Sequence, residues 1–456
     1  MKPLLPDCPG PERKALFPHL LRRLSPKSSF AFNLLALSFA IGVCAVPTVN
    51  ASRPITLTLA GFGYQAERQL ASEGLNDFVH DTGIRVEFIP SWGASADQFA
   101  LIQDTLKRHF RTPDVFLIDL IWPGTLQHNL LDLSSYLKDE ASSQLPVLLK
   151  SATIEGRVVS VPLYVNTGLL YYRTDLLNKY GYRHPPGTWS ELEKMSRRIQ
   201  KGERAAGQRA FWGYVWQGRA YEGLTCNALE WQASFGGGSI IEADGTISVN
   251  NPRAAKAIGM AASWIDSISP PSVLSYMEGD SLNVFRSGNA AFMRYWSSGS
   301  HSLRASGSKV AERFGVASLP AGPGRRAQTM GGFQLGVSRY SAYPGEAIEL
   351  IRYLANEKAQ KARALQDGYL PAIADLYKDP EVLKAVPEAQ VVERAGQKSW
   401  VLRPSSIAAE KYSVVSKDYY EAIHRILSGH CRPEEGLHDL EKELLNLNLN
   451  AGSGNR

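Results

Sequence analysis

A glycine-rich turn near the start of the chain has the residue types of a cofactor loop. The stretch ITLTLAGFGYQAERQL, residues 55–70, is predicted to be a strand that runs through Gly61 and Gly63 into a helix, which is nearly the dinucleotide-binding fingerprint. That fingerprint needs an acidic residue at the end of the second strand, but Glu87 lies inside the next predicted strand. The turn therefore favours close approach of backbone to another ligand, with Glu67 directed to the same cleft.

The carboxylates Glu67, Asp119 and Glu278 lie in a chain rich in aromatic residues. Glycoside hydrolysis needs little more than a carboxylate pair and aromatic walls, so a glycosidase stays open as one function. The chain has no phosphate-binding loop, no H-E-x-x-H motif and no G-x-S-x-G elbow. The histidines at 424 and 430 with Cys431 have poor spacing for a metal site and fit a surface helix end. We therefore expect neither a cofactor nor a metal.

The first 51 residues have the composition of a secretory signal peptide. Six basic residues precede the apolar run FAFNLLALSFAIGVCAV, and small residues then allow cleavage, predicted after Ala51. The run has about seventeen residues and is barely long enough for the alternative, an uncleaved membrane anchor. A lipid anchor on Cys44 would need a small residue where Val43 stands. These features predict a periplasmic or secreted protein.

Removal of this leader changes the charge and the cysteine content of the chain. The leader carries four of the six net positive charges, so the mature chain keeps about +2, which argues against nucleic acid and against a polybasic membrane surface as partners. Two cysteines remain, Cys226 and Cys431, and they form either one disulfide or two buried thiols.

The mature chain is long enough for two domains and alternates strands with helices. The first part of the mature chain is predicted to be a βαβαβ lobe. The opening strand is followed by a helix that ends near Gly83 and by the strand IRVEFI. Next come a helix with Phe99, Ile102, Leu106 and Phe110 on one face and the apolar strand DVFLIDLI. The second lobe follows VVSVPLYVNTGLLYYR, and its local signals are a capping box at Thr188 and Glu191, a hairpin turn at Asp244-Gly245 and a helix cap at Asn251. A long amphipathic stretch covers 345–366. Without a low-complexity linker, strands crossing between the lobes are expected to join them.

Six segments of the chain, in order, resemble the extracellular solute-binding proteins of sugar ABC importers, and most of all the trehalose and maltose binders. They are RTPDVFLIDLIWPG, VVSVPLYVNTGLLYYRTDLLNKYGYRHPPGTWSELE, YEGLTCNALEWQASFGG, FRSGNAAFMRYW, MGGFQLGVS and WVLRPSSIAAEKYSVVSKDYYEAIHRILSG. The resemblance implies a two-lobed α/β fold of the periplasmic-binding-protein type II, with a ligand cleft between lobes that close by hinge motion. The expected lobes are 52–164 plus about 331–367, and 165–330 plus about 368–456.

A saccharide presents hydroxyls and weakly apolar faces, so its site needs polar groups that accept and donate in pairs, and aromatic rings for stacking. Asp119 ends a predicted buried strand, where open α/β sheets place ligands, although it would also suit a turn. Trp296 ends the AAFMRYW strand as a stacking platform or as plain core, and Arg403 is a fork of donors or a solvated loop charge. The full expected ligand set is Glu67, Asp119, Trp122, Tyr164, Asn166, Glu278, Trp296, Gly331, Gly332 and Arg403.

The predicted function is capture of a neutral di- or oligosaccharide of the trehalose or maltose type, without covalent chemistry, by a monomer that delivers it to an ABC permease and its ATPase. Two departures from the resembled pattern leave the exact sugar open: SADQFA carries no basic residue, and Asn166 stands where many relatives place a carboxylate. The alternatives are a secreted glycoside hydrolase and a sugar sensor coupled to a chemoreceptor or kinase.

Overall fold

The computed structural model of the protein describes residues 54–62, 74–90 and 95–448. The predicted signal peptide and its cleavage position, as well as Glu67, lie outside these ranges. Among the described residues there are eleven strands. They are β1 (Thr56–Phe62), β2 (Arg85–Pro90), β3 (Val115–Asp119), β4 (Thr153–Ile154), β5 (Arg157–Val158), β6 (Val161–Arg173), β7 (Trp212–Val215), β8 (Ala290–Trp296), β9 (Phe314–Ser318), β10 (Gln328–Val337) and β11 (Trp400–Val401).

Helices of very different lengths connect and cover these strands. The α-helices are α1 (Leu75–Thr82), α2 (Ser95–Lys107), α3 (Pro123–Leu126), α4 (Lys138–Ser143), α5 (Pro146–Ala152), α6 (Thr174–Lys179), α7 (Trp189–Ala205), α8 (Glu222–Ser234), α9 (Pro252–Trp264), α10 (Glu278–Arg286), α11 (Gly299–Arg304), α12 (Pro344–Ala355), α13 (Glu357–Asp367), α14 (Pro380–Ala385), α15 (Pro387–Ala395), α16 (Ser405–Ala408), α17 (Tyr412–Leu427) and α18 (Pro433–Asn446). Short 3₁₀ turns cover Gln127–Asn129, Pro271–Ser275, Ala374–Lys378, Gln397–Ser399 and Ala409–Lys411.

The strands form one mixed sheet and a separate small hairpin, β4–β5. The main sheet has the order β2-β1-β3-β10-β6-β8-β7, with β11 paired to β10 and β9 paired to β6. β1 runs parallel to both β2 and β3, as the predicted βαβαβ order requires. β10 is antiparallel to β3 and to β6, and β6 is antiparallel to β8. The pairing along the sheet therefore changes from parallel to antiparallel at β10 and returns to parallel between β8 and β7, while the short β11 is parallel to β10.

The β1–β3 end of the sheet is covered by α1 and α12. Leu57 and Leu59 of β1 are fully buried in this hydrophobic cluster. Helix α1 ends where Gly83 adopts the left-handed conformation, as predicted. The predicted extension of the next helix face to Phe110 is wrong, because α2 ends at Lys107 and the side chain of Phe110 is 52% exposed.

The β6–β10 pair is the long central element of the sheet. β6 has thirteen residues, which at about 3.3 Å per residue extends for roughly 40 Å. It pairs with β10 through Asn166 opposite Gly331 and Val165 opposite Gly332. One continuous strand pair therefore passes from the β1–β3 end of the sheet to the β7–β8 end.

The β7–β8 end is packed by α7, α8, α9, α17 and α18 around four tryptophans. Trp189, Trp216, Trp231 and Trp264 are all buried, and the ring centroids of Trp216 and Trp231 are 4.9 Å apart, edge to face. Such aromatic pairs pack with specific geometry and bury large apolar areas, so they fix how the helices lie on the sheet.

Most of the predicted local signals are confirmed in the structure. The Thr188 side chain accepts from the Glu191 N–H, while the Glu191 carboxylate accepts from the Gly187 N–H and not from Thr188. Asn251 caps α9 through its side chain. The amphipathic stretch 345–366 is two helices, because Asn356 ends α12 and caps α13.

Cys226 and Cys431 are both free thiols, the first buried and the second half-buried. In the part of the chain that the structure describes, no helix combines the length and the apolar character needed to cross a membrane.

Candidate ligand-binding site

Asp119 is the last residue of β3 and lies close to a buried guanidinium. Its carboxylate Oδ1 accepts from Arg403 Nη2 at 3.4 Å and from the Ile121 N–H at 3.2 Å. Burial raises the pKa of Asp119 above its ordinary value, the guanidinium of Arg403 opposes this rise, and the nearby Glu222 adds to it. When it is ionised, the Asp119 carboxylate at the end of β3 has lone pairs left for further hydrogen bonds.

Arg403 reaches the site because β11 pairs with the start of β10. Trp400 and Val401 lie opposite Gln328 and Thr329, so the chain that follows passes beside Met330. The Arg403 side chain is only 3% exposed. Its Nη1 donates to Glu222 at 2.8 Å, and its Nη2 lies 3.5 Å from the Met330 carbonyl oxygen.

Glu222 was not among the residues predicted from the sequence. It is the first residue of α8, where a negative charge is favourable at the helix N-terminus. Besides Arg403, its carboxylate accepts from the Tyr412 hydroxyl at 2.6 Å and from the Ser416 hydroxyl at 2.6 Å. The segment YEGLTCNALEWQASFGG was one of the six that carry the family resemblance, but only the fold shows which of its residues meets Arg403.

A second group of contacts surrounds Trp296 at the end of β8. The indole Nε1 donates to Glu278 Oε1 at 3.2 Å, and the Tyr221 hydroxyl donates to Glu278 Oε2 at 2.7 Å. Burial raises the pKa of the Tyr221 hydroxyl, and the adjacent Glu278 carboxylate raises it further, so the hydroxyl stays protonated and donates. Glu278 thus holds both aromatic side chains.

A buried ion pair between Arg294 and Glu230 packs against the ring of Trp296. The guanidinium of Arg294 lies 4.2 Å from the centroid of the Trp296 ring. Arg294 in turn makes two hydrogen bonds to Glu230, at 2.9 and 2.6 Å, and both side chains are almost fully buried. Gly168 leaves the room for this pair, because a Cβ there would lie 2.0 Å from a Glu230 oxygen. The Trp296 indole is therefore held by Glu278 and by the Arg294–Glu230 pair.

The two glycines of β10 bring the groups together. A Cβ on Gly331 would lie 3.1 Å from Cζ3 of Trp296, so the indole packs directly on this backbone. Gly332 has φ +134°, and a Cβ there would lie 2.4 Å from the Tyr164 carbonyl oxygen. The Gly332 carbonyl also accepts from the Leu120 N–H at 3.1 Å, next to Asp119.

Asn166 and Tyr164 lie on β6 beside these glycines. Asn166 Oδ1 accepts from the Ser297 hydroxyl at 3.2 Å. The half-buried Tyr164 ring has its centroid 4.3 Å from that of Tyr369. Asn166 lies opposite Gly331 of β10, and Tyr164 lies opposite Phe333, next to Gly332.

Trp122 has a different environment from the other predicted residues. Its backbone N–H donates to the Asp119 carbonyl oxygen at 2.9 Å, but its side chain is 5% exposed and packs on Phe99, with ring centroids 5.3 Å apart. A ligand contact for Trp122 stays a prediction.

Of the ten predicted residues, the structure describes nine, and two of these, Gly331 and Gly332, lie in β10 itself. Asn166, Trp296 and Arg403 contact residues 330–332. The other four lie near them, because Asp119 and Tyr164 pair with Phe333, Glu278 bonds Trp296 and Trp122 bonds Asp119.

The site offers carboxylate acceptors, a guanidinium, an amide and aromatic surfaces at close range. These are groups that pair with hydroxyls and stack on flat, weakly apolar faces. Within the described ranges, no group of three or more histidine, cysteine, aspartate or glutamate side chains is arranged to hold a metal ion. The arrangement suits non-covalent binding of a small polar solute.

Comparison with known proteins assigns the chain to a family. Residues 63–361 match the bacterial extracellular solute-binding proteins. A probable ABC transporter-binding protein of Deinococcus radiodurans is 40% identical over 402 residues, covering 88% of this chain and 95% of that protein.

Solved structures share the fold. The maltose-bound MalE3 of T. maritima has a TM-score of 0.78 at 33% identity and covers 86% of this chain and 100% of its own. A solute-binding protein from Thermotoga lettingae bound to α-D-tagatose has a TM-score of 0.76 at 22% identity, over 86% of this chain and 99% of its own. The predicted two-lobed α/β fold is thereby confirmed, and the chain belongs to the bacterial extracellular solute-binding proteins.

Proposed function

We propose that this protein is the saccharide-binding component of an ABC importer. Its solute is a neutral di- or oligosaccharide of the trehalose or maltose type, bound without covalent chemistry and handed to a membrane permease that an ATPase drives. The observation that carries the proposal is the fixed Trp296 platform facing the strand segment that also meets Asp119 and Arg403. The maltose in T. maritima MalE3, at 33% identity, supports the same class of solute.

The charges at the site favour a solute without negative charge. Asp119, Glu222, Glu230 and Glu278 supply four carboxylates against the two guanidinium groups of Arg294 and Arg403. A phosphorylated sugar would place its anion near this excess of negative charge, and that repulsion costs several kcal/mol at close range (~4 kcal/mol at 4 Å for an effective dielectric constant near 20). Sugar hydroxyls instead donate to the carboxylates and accept from the guanidinium of Arg403.

Binding would close two lobes on the solute. We assign residues 52–164 with about 331–367 to one lobe, and 165–330 with about 368–456 to the other. Asp119 then belongs to the first lobe, and Glu278 and Trp296 belong to the second. A solute that contacts both only in the closed form shifts the equilibrium towards closure. An affinity near micromolar corresponds to about 8 kcal/mol.

The protein would work outside the cytoplasm, as the family is extracellular. Cleavage after Ala51 would release it into the periplasm or the medium as a monomer. The permease would recognise the closed, loaded form.

Calorimetric titration of the mature protein, from Ser52 onward, tests the proposal. Trehalose, maltose, sucrose and longer glucans are titrated into wild type, Asp119→Ala and Trp296→Ala, with Trp212→Ala as a tryptophan control outside the site. We expect saturable binding of one sugar, lost in the two site variants and kept in Trp212→Ala, with no release of reducing sugar. Absence of binding for every sugar would refute the saccharide class, and release of glucose would point to a hydrolase.

A further inference from the structure

The hydrogen bonds of Arg403 are unevenly shared between its neighbours. Nη1 makes a short bond of 2.8 Å to Glu222, whereas Nη2 makes two long contacts, 3.4 Å to Asp119 and 3.5 Å to the Met330 carbonyl oxygen. Nε is buried and has no hydrogen-bond partner among the described residues. A guanidinium carries five N–H donors, and in Arg403 the Nε donor is unpaired while the two Nη2 contacts are long and weak.

The unpaired Nε and the weakly bonded Nη2 lie on one edge of the guanidinium. Nε and the nitrogen trans to Cδ, which is Nη2, point their N–H bonds to the same side and form a two-donor fork. A buried donor without an acceptor costs about 1–3 kcal/mol, so this edge is expected to meet an acceptor when the site is filled. Asp119 lies beside this edge, with its Oδ1 3.4 Å from Nη2.

Glu222 has the opposite character, because three donors already bond its carboxylate. Oε1 accepts from Arg403 and from the Tyr412 hydroxyl, and Oε2 accepts from the Ser416 hydroxyl. Ser416 is held in turn by Thr225, whose hydroxyl lies 2.8 Å away. These partners come from α8 and α17, which pack against each other in the tryptophan-rich cluster. Glu222 is thus a rigid anchor.

From this asymmetry we infer that Glu222 is the positioning residue for Arg403. It binds Nη1 and orients the guanidinium so that the Nε–Nη2 edge, beside Asp119, faces two adjacent oxygens of the bound saccharide. The fork donates to both oxygens of a vicinal diol, and Asp119 accepts from their hydroxyl hydrogens. This inference rests on the proposed saccharide function, and it identifies a vicinal diol as the part of the sugar to which Arg403 binds.

The test is a double-mutant cycle on affinity. Maltose and trehalose are titrated into wild type, Glu222→Ala, Arg403→Ala and the double variant, and the tighter of the two sugars is used for the cycle. We expect Glu222→Ala to weaken binding about 10- to 100-fold in the wild-type background, the effect of losing a hydrogen bond to a charged group. In the Arg403→Ala background it should cause no further loss, because Glu222 acts through Arg403.

Milder variants and analogues keep the test decisive if Glu222→Ala does not fold. Glu222→Gln keeps one acceptor oxygen and should weaken binding less than Glu222→Ala. A monodeoxy analogue of the sugar that lacks a diol hydroxyl should bind more weakly than the parent to wild type, and this discrimination should shrink in Glu222→Gln. Glu203→Gln is the matched control, because Glu203 also accepts from a cation and a tyrosine, Lys179 at 2.6 Å and Tyr180 at 2.9 Å.

The outcomes separate this inference from the proposed function. A wild-type protein that binds neither sugar nor any longer glucan refutes the saccharide function and the inference with it. A wild-type protein that binds sugar, with Glu222 and Arg403 effects that simply add, refutes the positioning role alone. Equal discrimination against the monodeoxy analogue in wild type and Glu222→Gln does the same.

Discussion

Gly331→Ala is the substitution that tests most directly whether Trp296 is a fixed stacking surface. The added Cβ would lie 3.1 Å from Cζ3 and 3.3 Å from Cη2 of the indole. Carbon atoms pack at about 3.5–4.0 Å, so the indole must move by about 0.5 Å. The hydrogen bond to Glu278 and the contact with Arg294 oppose this movement.

The cost of this movement should appear in ligand affinity. Overpacking a well-packed site costs about 1–3 kcal/mol. We expect about 1–2 kcal/mol of it to be lost from binding, which is a 5- to 30-fold weaker affinity. Gly331 is not among the described glycines with a positive φ, and the three atoms nearest to an added Cβ all belong to the Trp296 indole, so we expect the effect to come from that contact.

Calorimetric titration with maltose and trehalose, together with thermal unfolding, measures the effect. Gly345→Ala is the matched control, since a Cβ there meets nothing within 4 Å. We expect the control to keep wild-type affinity. If Gly331→Ala binds sugar as tightly as wild type, the indole does not present its surface to the ligand and the stacking argument is wrong.

Two further predictions concern titratable groups. Burial raises the folded-state pKa of Asp119 above its ordinary value of 3.8, so the folded protein binds more protons at this carboxyl than the unfolded chain does. The stability that protonated Asp119 contributes is fully present below pH 3.8 and is lost as the pH rises through the raised pKa. Urea unfolding from pH 4 to 7 should therefore show a weaker fall with pH for Asp119→Asn than for wild type, and identical slopes would contradict this. Burial raises the pKa of Cys226 to about 12 and also raises that of the half-buried Cys431, so a thiol reagent at pH 8 should modify Cys431 slowly and Cys226 only after denaturation. A native protein with no titratable thiol after denaturation would instead contain a disulfide.

The sequence predicted where Asp119 and Trp296 lie on their own strands. Asp119 was expected at the end of a continuous apolar run, which is a buried strand, and it is the last residue of β3. Trp296 was expected at the end of the AAFMRYW strand, and it is the last residue of β8. For both residues, the local sequence pattern predicts the end of a strand, and ends of strands are where such sheets place ligands.

Glu222 was missed because its role depends on a contact across 181 residues of sequence. An acidic residue in the first turn of a helix is explained by the helix dipole alone, so nothing local marks it as a partner of Arg403. The pairing of β11 with β10 brings the two together, and β11 has only two residues, too few for any periodic pattern. The split of 345–366 at Asn356 has a similar cause, since one capping side chain outweighs a continuous amphipathic pattern.

The three residues 330–332 of β10 explain why stability and affinity should respond differently at different positions. Met330 lies beside Arg403, Gly331 packs on Trp296, and Gly332 has a positive φ and no room for a Cβ beside Tyr164. Because this segment is both the middle of the sheet and the floor of the site, a side chain added to it perturbs the fold and the ligand contacts together. Glu222 makes its hydrogen bonds to Arg403 and to two hydroxyls, and its charge also raises the pKa of Asp119. A conservative change there should therefore alter affinity more than it alters stability, which is the behaviour that distinguishes a positioning residue from a structural one.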